Sequence, residues 1–233
     1  MIQMIVYNPC MSTRVHPTIR RHAVRNAVFD RILSASLEPG RSVREAALSA
    51  DLGASRTPVR EALIELQAEG LLEHDPGRGF IVPRLSEREL REVYPIIGEL
   101  DGLALELSPA HDPDLVERLG TLNDRIARAR GIGRTTADAE WHDCLASAGG
   151  NERLRDMLRT LRRIVQRYEV AYLAEEALVR RSVREHAAIA AALAAGERRK
   201  AAGLLREHWS GSVTRLLAVL ARAEAGARRK TRR

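Results

Sequence analysis

The sequence predicts a mainly α-helical protein in two parts, a small N-terminal unit that carries a β-hairpin and a larger all-helical bundle. Apolar residues recur at helical spacing along most of the 233 residues, and strand-like segments around a turn occur only between residues 71 and 83. A helix-start signal from Ser86 to Glu89 then opens a series of helical segments. We expect four regions in the chain: a flexible extension over 1–17, the first unit over 18–84, the helical bundle over 85–226 and a basic tail over 227–233.

Charge and cysteine content indicate the class of protein and its compartment. The formal net charge is +7 and the isoelectric point about 10.2, which suits a polyanionic partner, although the basic tail supplies much of the excess. Cys10 and Cys144 cannot form a disulfide framework, so they indicate a reducing compartment. No apolar run reaches the roughly 18 residues of a membrane span, and residues 1–11 lack the charged start of a secretion signal. We therefore expect a cytoplasmic protein with no membrane partner.

Three short helices are predicted in the first unit. Apolar residues at helical spacing predict the first helix over 18–36, and the turn sequence EPGR that follows breaks this pattern. A second helix is predicted over 44–52. Ser55 is placed to cap a third helix, and Pro58 is tolerated in its first turn because early backbone N–H groups have no intrahelical partner.

The third helix is predicted to have one buried face and one exposed face. The apolar stripe comprises Val59, Ala62, Leu63 and Leu66. The outward face comprises Arg56, Thr57, Arg60 and Gln67. After this helix, segments 71–74 and 80–83 flank the turn sequence DPGRG and predict a two-stranded hairpin with Arg78 at its tip. Three helices followed by such a hairpin are typical of a winged helix-turn-helix.

This arrangement suits DNA recognition. The third helix of a winged helix-turn-helix enters the major groove by its N-terminal end, where Arg56 and Arg60 can donate paired hydrogen bonds to guanine. Helix-end amides hold phosphates, and Arg78 on the wing can follow the backbone into the minor groove. The alternative is that the two helix arginines form surface ion pairs with Glu61 or Glu65, which are weak in water.

Residues 52–82, LGASRTPVREALIELQAEGLLEHDPGRGFIV, resemble the DNA-binding domain of GntR-family bacterial transcription regulators. The hallmark of that domain is a Ser-Arg-Thr-Pro helix start with a second arginine four residues beyond the first, and the resemblance covers about residues 18–84. It implies that operator DNA is contacted by Ser55, Arg56, Thr57 and Arg60, with Arg44 as a helper on the preceding helix and Arg78 at the wing. One position departs from the pattern, because many relatives carry a DNA-contacting arginine where this chain has Ala46.

The second unit is predicted to contain six helices, over 86–108, 113–130, 135–148, 151–173, 175–195 and 197–225. Four polar side chains interrupt the apolar faces of these helices and are expected to point inward: Asp138, His142, His186 and His208. Burying them without partners would cost several kcal/mol. Each histidine alone is simply explained as a satisfied core residue, whereas the whole set suits a divalent metal. Imidazole and carboxylate ligands fit zinc first, with nickel, manganese and iron as alternatives.

Residues 86–225 resemble the all-helical effector domain, of the FCD type, in the FadR subfamily of GntR regulators. Its metal-binding members use an aspartate and a histidine four apart on one helix and two histidines on the last two helices. The resemblance implies that the metal ligands are Asp138, His142, His186 and His208 and that a small carboxylate or similar metabolite binds beside the metal. Ile97 stands where many relatives offer an arginine to the ligand, which leaves open a less charged effector or a structural metal.

We therefore predict a metabolite-responsive transcriptional regulator rather than an enzyme. It is expected to act as a repressor, in the bacterial cytoplasm in association with the nucleoid, and to bind an inverted-repeat, double-stranded DNA operator as a homodimer. Two alternatives stay open at this point. The Asp/His3 site could serve a metal-dependent hydrolase or lyase, or the chain could be an architectural DNA-binding protein with an inert bundle.

Overall fold

The computed structural model describes residues 17–34, 36–109 and 112–231, with side chains omitted for 17–21, 171 and 223–231. Residues 1–16 of the predicted extension lie outside this part, and Pro17 already belongs to the first helix. The described elements are α1 (Pro17–Leu33), β1 (Ser42–Val43), α2 (Glu45–Asp51), α3 (Arg56–Ala68), β2 (Glu73–Asp75), β3 (Gly79–Ile81), α4 (Glu87–Leu107), α5 (Pro113–Arg128), α6 (Ile132–Ser147), α7 (Glu152–Tyr172), α8 (Glu176–Ala194) and α9 (Arg198–Thr231). The mainly α-helical fold class is confirmed.

A small three-helix core and a short sheet form the first part of the chain. Helices α1 to α3 bury an apolar cluster that includes the predicted stripe Val59, Ala62, Leu63 and Leu66. The sheet has the order β1-β3-β2, with both neighbouring pairs antiparallel. The prediction of a two-stranded hairpin was incomplete, because β1 pairs Val43 with Phe80 as a third strand. Two residues are too few to give a period-two pattern in the sequence.

Helix α3 begins where its sequence predicts. Ser55 occupies the N-cap position in an extended conformation, yet its side chain makes no capping hydrogen bond. Pro58 lies in the first turn, where the missing N–H costs little. Gly70 has φ +75, a left-handed conformation that lets the chain leave the helix, and Leu71 N–H donates to the Leu66 carbonyl at 2.9 Å.

Helices α4 to α9 enclose a second apolar core, in which α4 packs along α9 and α5 along α6 and α8. The Ser86 hydroxyl accepts from Glu89 N–H at 3.0 Å, as the predicted helix start requires. Helix α4 continues through Pro95 to Leu107. Helix α9 extends beyond the predicted end at residue 225 to Thr231, so part of the predicted basic tail is helical. Among the described residues, no helix is long and apolar enough to cross a membrane.

Gly149, in the turn after α6, fixes how closely α6 approaches α4. A Cβ at this position would lie 2.6 Å from the Ala104 carbonyl oxygen and 3.2 Å from Leu107 Cβ. We expect Gly149→Ala to lower the free energy of unfolding by about 1–3 kcal/mol because backbone must move to accept the methyl group. Urea denaturation followed by circular dichroism measures this change.

A matched substitution is available in the interior of α5. A Cβ at Gly120 would meet nothing within 4 Å, so Gly120→Ala should raise stability by up to about 1 kcal/mol through helix propensity alone. Equal effects of the two substitutions would contradict a steric role for Gly149.

Candidate DNA-binding surface and metal centre

The start of α3 presents the predicted DNA-contacting side chains to solvent. Ser55, Arg56, Thr57 and Arg60 are all exposed. Because the Ser55 hydroxyl does not cap the helix, it is available to a partner, together with the first backbone N–H groups of α3. In the described part of the chain, neither Arg56 nor Arg60 forms an ion pair, so the alternative of surface pairing with Glu61 or Glu65 gains no support.

A groove of about 390 Å³ runs between α3 and the wing, the turn that joins β2 to β3. It brings together Arg44 at the N-cap of α2, Arg60 on α3 and Arg78 on the wing. The Arg78 guanidinium donates to the Gly40 carbonyl at 3.0 Å, so the wing is tied to the loop before β1. Three arginines along one groove form a surface suited to phosphates and base edges. Ala46 is exposed on α2.

A second candidate site lies inside the helical bundle, where three histidines from three helices meet. Each of His142 on α6, His186 on α8 and His208 on α9 offers a ring nitrogen, and these nitrogens all lie within 4.8 Å of one another. All three residues are buried. Asp138 lies one turn before His142 on α6, with Oδ2 3.9 Å from His142 Nε2. Its carboxylate is outside the group defined by the three histidines.

Several buried polar atoms of this cluster have no hydrogen-bond partner in the described part of the chain. Among the described residues, His142 Nδ1, Asp138 Oδ1 and both ring nitrogens of His186 form no hydrogen bond. Burial lowers the pKa values of His142 and His186 well below the ordinary histidine value and raises that of Asp138 well above its own. The two imidazoles are therefore neutral at neutral pH, which is the form that binds a metal. Unsatisfied nitrogens among three clustered imidazoles fit a divalent ion.

Contacts around the triad orient its rings. His208 Nδ1 lies 2.8 Å from Glu185 Oε2, which favours the tautomer with Nε2 unprotonated and directed to the cluster. Burial opposes ionisation of Glu185, but hydrogen bonds from His208 and Arg181 lower its pKa to about 2. The His186 ring stacks on Trp141, with centroids 3.8 Å apart and planes 6° from parallel.

A buried carboxylate on α4, that of Asp101, lies beside His142. Asp101 is fully buried; its Oδ2 accepts from Trp209 Nε1 at 2.8 Å and lies 3.7 Å from His142 Nδ1. Its Oδ1 accepts from Arg162 of α7. Burial raises the pKa of Asp101, and the Arg162 guanidinium opposes that rise.

A cavity of about 280 Å³ lies beside the cluster, between α6 and α7. Asp138 and His142 form its wall on α6, and Arg162, Arg163, Gln166 and Glu169 form its wall on α7. The Tyr94 hydroxyl donates to Glu169 Oε1. The cavity is large enough for a small metabolite and contains both cationic and anionic groups.

Sequence reasoning missed Asp101, Arg162, Glu169 and Glu185. Asp101 could have been found, because it interrupts the buried stripe of α4 four residues after Ile97, by the same criterion that identifies Asp138. Ile97 itself is fully buried and contributes to the apolar core.

Helix α7 also connects the bundle to the first unit. Glu69, at the C-cap of α3, accepts from Arg163 Nη1 at 2.7 Å and from Arg25 of α1. A few residues further along α7, Arg167 donates to the Pro83 carbonyl at 2.8 Å and to Glu89 at 3.0 Å. The same helix therefore lines the cavity and contacts the end of α3.

Two family models match the chain. The model of the bacterial regulatory proteins of the gntR family matches residues 20–82, and the model of the FCD domain matches residues 92–211. These two segments contain, respectively, the exposed start of α3 and the histidine cluster.

Curated and solved relatives agree with these matches. The chain is 28% identical over 194 residues to the Nta operon transcriptional regulator of Aminobacter aminovorans, covering 81% of this chain and 90% of that protein. It is 41% identical over 97 residues to a protein of Paenarthrobacter nicotinovorans named "Probable D-xylose utilization operon transcriptional repressor", covering 42% of this chain and 43% of that protein. Several curated relatives are matched over 43% to 62% of their own length. A solved GntR transcriptional regulator from Rhodococcus sp. RHA1 has the same fold, with a TM-score of 0.75 at 24% identity over 86% of this chain and 98% of that one.

Proposed function

Because the chain belongs to the GntR family of bacterial transcriptional regulators and carries an FCD domain, we propose that it is a metabolite-responsive repressor. The family and the relatives are regulators, not enzymes, so we reject the alternative of a metal-dependent hydrolase or lyase. The observation that carries the proposal is the position of α7, which borders the cavity and also contacts the end of α3. A repressor is favoured because relatives are named repressors.

The DNA-reading part of the proposal rests on the exposed start of α3 and the arginine-lined groove. We infer that Ser55, Arg56, Thr57 and Arg60 contact operator DNA, with Arg44 and Arg78 at its flanks. A homodimer would place two such helices on an inverted repeat, which gives a specificity that a single small unit lacks. The protein would act in the cytoplasm, at the nucleoid, where its operator is.

The sensing part of the proposal rests on the histidine cluster and the cavity beside it. We infer that His142, His186 and His208 hold a divalent ion, with zinc preferred by the donor set, and that Asp138 assists them. When bound, the ion would supply a positive charge that accepts an electron pair from an oxygen atom of the metabolite. The chain's own residues enclose that metabolite, because α6 and α7 form two walls of the cavity.

A thermal-shift screen of metabolites, with and without added zinc, tests this function directly. A ligand that binds the folded form raises the melting temperature, and compounds that do so are then tried for release of a DNA duplex selected from a random pool. We expect at least one such compound to weaken DNA binding. Compounds that bind tightly without any effect on DNA affinity would contradict the sensing role.

The contact between Glu69 and Arg163 is the proposed route from the cavity to α3. Arg163 borders the cavity, and Glu69 ends α3, so a change in the cavity can alter the position of the recognition helix. In Glu69→Gln, the ligand-induced change in DNA affinity should fall to less than about threefold from the 5- to 150-fold that is typical of such coupling. Fluorescence anisotropy of labelled operator, with and without ligand, measures this ratio.

Asp51→Asn is the matched control for this variant. Asp51 pairs with Arg31 of α1 at 3.5 Å, so its loss also breaks a carboxylate contact inside the first unit, but one that does not involve α7. The control should keep the parent's ligand response. An unchanged response in Glu69→Gln would show that the signal passes elsewhere.

A further inference from the structure

An exposed isoleucine lies on the face of α3 that carries the proposed DNA contacts. The Ile64 side chain is 50% exposed. It follows Thr57 by seven residues and Arg60 by four, and residues at these spacings share one face of a helix. The buried apolar stripe of α3 occupies another face, and Ile64 is not among the described residues that form the core of the first unit.

Ile64 also lines the groove between α3 and the wing. Two further apolar side chains of this groove, Val43 and Phe80, are buried in the core of the first unit. The remaining groove side chains are polar or charged and include Arg44, Arg60 and Arg78. Ile64 therefore offers exposed apolar surface to whatever partner these arginines attract.

The chemistry of DNA limits what an isoleucine can recognise there. A phosphate or a polar base edge gains nothing from Ile64, because the side chain cannot form a hydrogen bond and would remove water from the polar group. In the major groove, the C5-methyl group of thymine is the apolar feature of the base edges. Ile64 lies one helical turn beyond Arg60, about 6 Å along the axis, so it can reach a base pair close to the guanine that Arg60 would read.

We propose that Ile64 is a specificity-determining residue, which selects thymine by packing on its C5-methyl group. Arg60 and Ile64 together then read a guanine and a nearby thymine in each half-site of the operator. This inference rests on the proposed function, since it requires that the start of α3 enters the major groove. The competing placement of Ile64 is against the sugar-phosphate backbone, which gives no preference for any base.

Uracil lacks only the C5-methyl group of thymine, so thymine-to-uracil substitution tests the contact directly. In a duplex selected from a random pool, each thymine is replaced by uracil, one position at a time and in both half-sites. Fluorescence anisotropy measures binding. At one position the parent should bind the uracil duplex roughly three- to tenfold more weakly, the loss expected for one buried methyl group per half-site. A selected duplex without any sensitive position would overturn the proposal.

Ile64→Ala tests whether Ile64 is the residue that senses this methyl group. The variant should bind the thymine and uracil duplexes within about twofold of each other, because its side chain no longer reaches the methyl group. Ile96→Ala is the matched control: Ile96 is 49% exposed but lies on α4 of the bundle, so its variant should keep the parent's ratio. The parent's ratio in Ile64→Ala would overturn the proposal, whatever the change in overall affinity.

Two further measurements separate failure of this inference from failure of the proposed function. Because Ile64 is half exposed, Ile64→Ala should fold as the parent does, which circular dichroism and thermal unfolding verify. Arg60→Ala is measured on the same duplexes. Loss of specific binding in Arg60→Ala, together with an unchanged uracil effect in Ile64→Ala, would overturn only the thymine contact. Failure of the parent to select any duplex would disprove the DNA-reading function and this inference with it.

Discussion

Replacing Arg56 or Arg60 by alanine is expected to weaken operator-specific binding roughly 30-fold or more, since a bidentate contact to guanine contributes about 1–3 kcal/mol and a homodimer loses it twice. Both side chains are exposed at the start of α3, and the described residues provide neither with an ion-pair partner. Their removal should therefore leave the fold unchanged. Gel shifts with a selected duplex and with a scrambled duplex of equal length measure the specific component.

Arg153→Ala is the control for the loss of positive charge. Arg153 is an exposed arginine on α7 of the bundle, far in sequence from the recognition helix. It should alter binding to the two duplexes equally, if at all, because a distant charge affects only the salt-dependent, sequence-independent attraction. Parental affinity in both Arg56→Ala and Arg60→Ala would end the assignment of α3 as the DNA-reading helix.

Replacing His186 by alanine is expected to remove the metal from the bundle. Both ring nitrogens of His186 lack a hydrogen-bond partner among the described residues, so the structure gives this buried side chain no other polar role. Metal content should fall from about one ion per chain to close to none, since a site with two remaining imidazoles is weak. Metal analysis after gel filtration measures it, and His208→Ala should behave in the same way.

Thermal unfolding provides an independent reading of the same site. At a free zinc concentration of about 100 times the dissociation constant, a single site stabilises the folded chain by about 2.7 kcal/mol. This zinc-dependent gain should disappear in His186→Ala and persist in His74→Ala, which removes an exposed histidine of β2. Equal metal content in the parent and in His186→Ala would contradict the site.

Sequence patterns predicted the helices well because each has a strong local signal. The capped start at Ser86 and the apolar stripe of α3 are local features that the structure confirms. Strand β1 was missed because its two residues are defined only by their pairing with β3, which is a tertiary contact. The end of α9 was placed too early because an alanine- and arginine-rich segment has high helix propensity but no apolar stripe.

The candidate site was predictable where a polar residue interrupts an apolar stripe. That criterion identified Asp138, His142, His186 and His208, and the structure brings the three histidines together. It could not show that Arg162 pairs with Asp101, or that Glu69 meets Arg163 across 94 residues, because charged side chains on a helix are usually solvated. Only the packing of α7 against α4 and the end of α3 gives these residues their neighbours.

In the described part of the chain, the hydrogen bonds from α7 to the first unit come from Arg163 and Arg167, little more than one helical turn apart, and Ile164 approaches Gly70 between them. Such a narrow junction makes the protein modular. The DNA-binding unit could be joined to the bundle of a relative. For the proposed ligand response to reach DNA binding, the new pair would need to preserve the contacts between Glu69 and α7. Under the proposed function, gene fusion or recombination could join one operator specificity to a different ligand response in a single event.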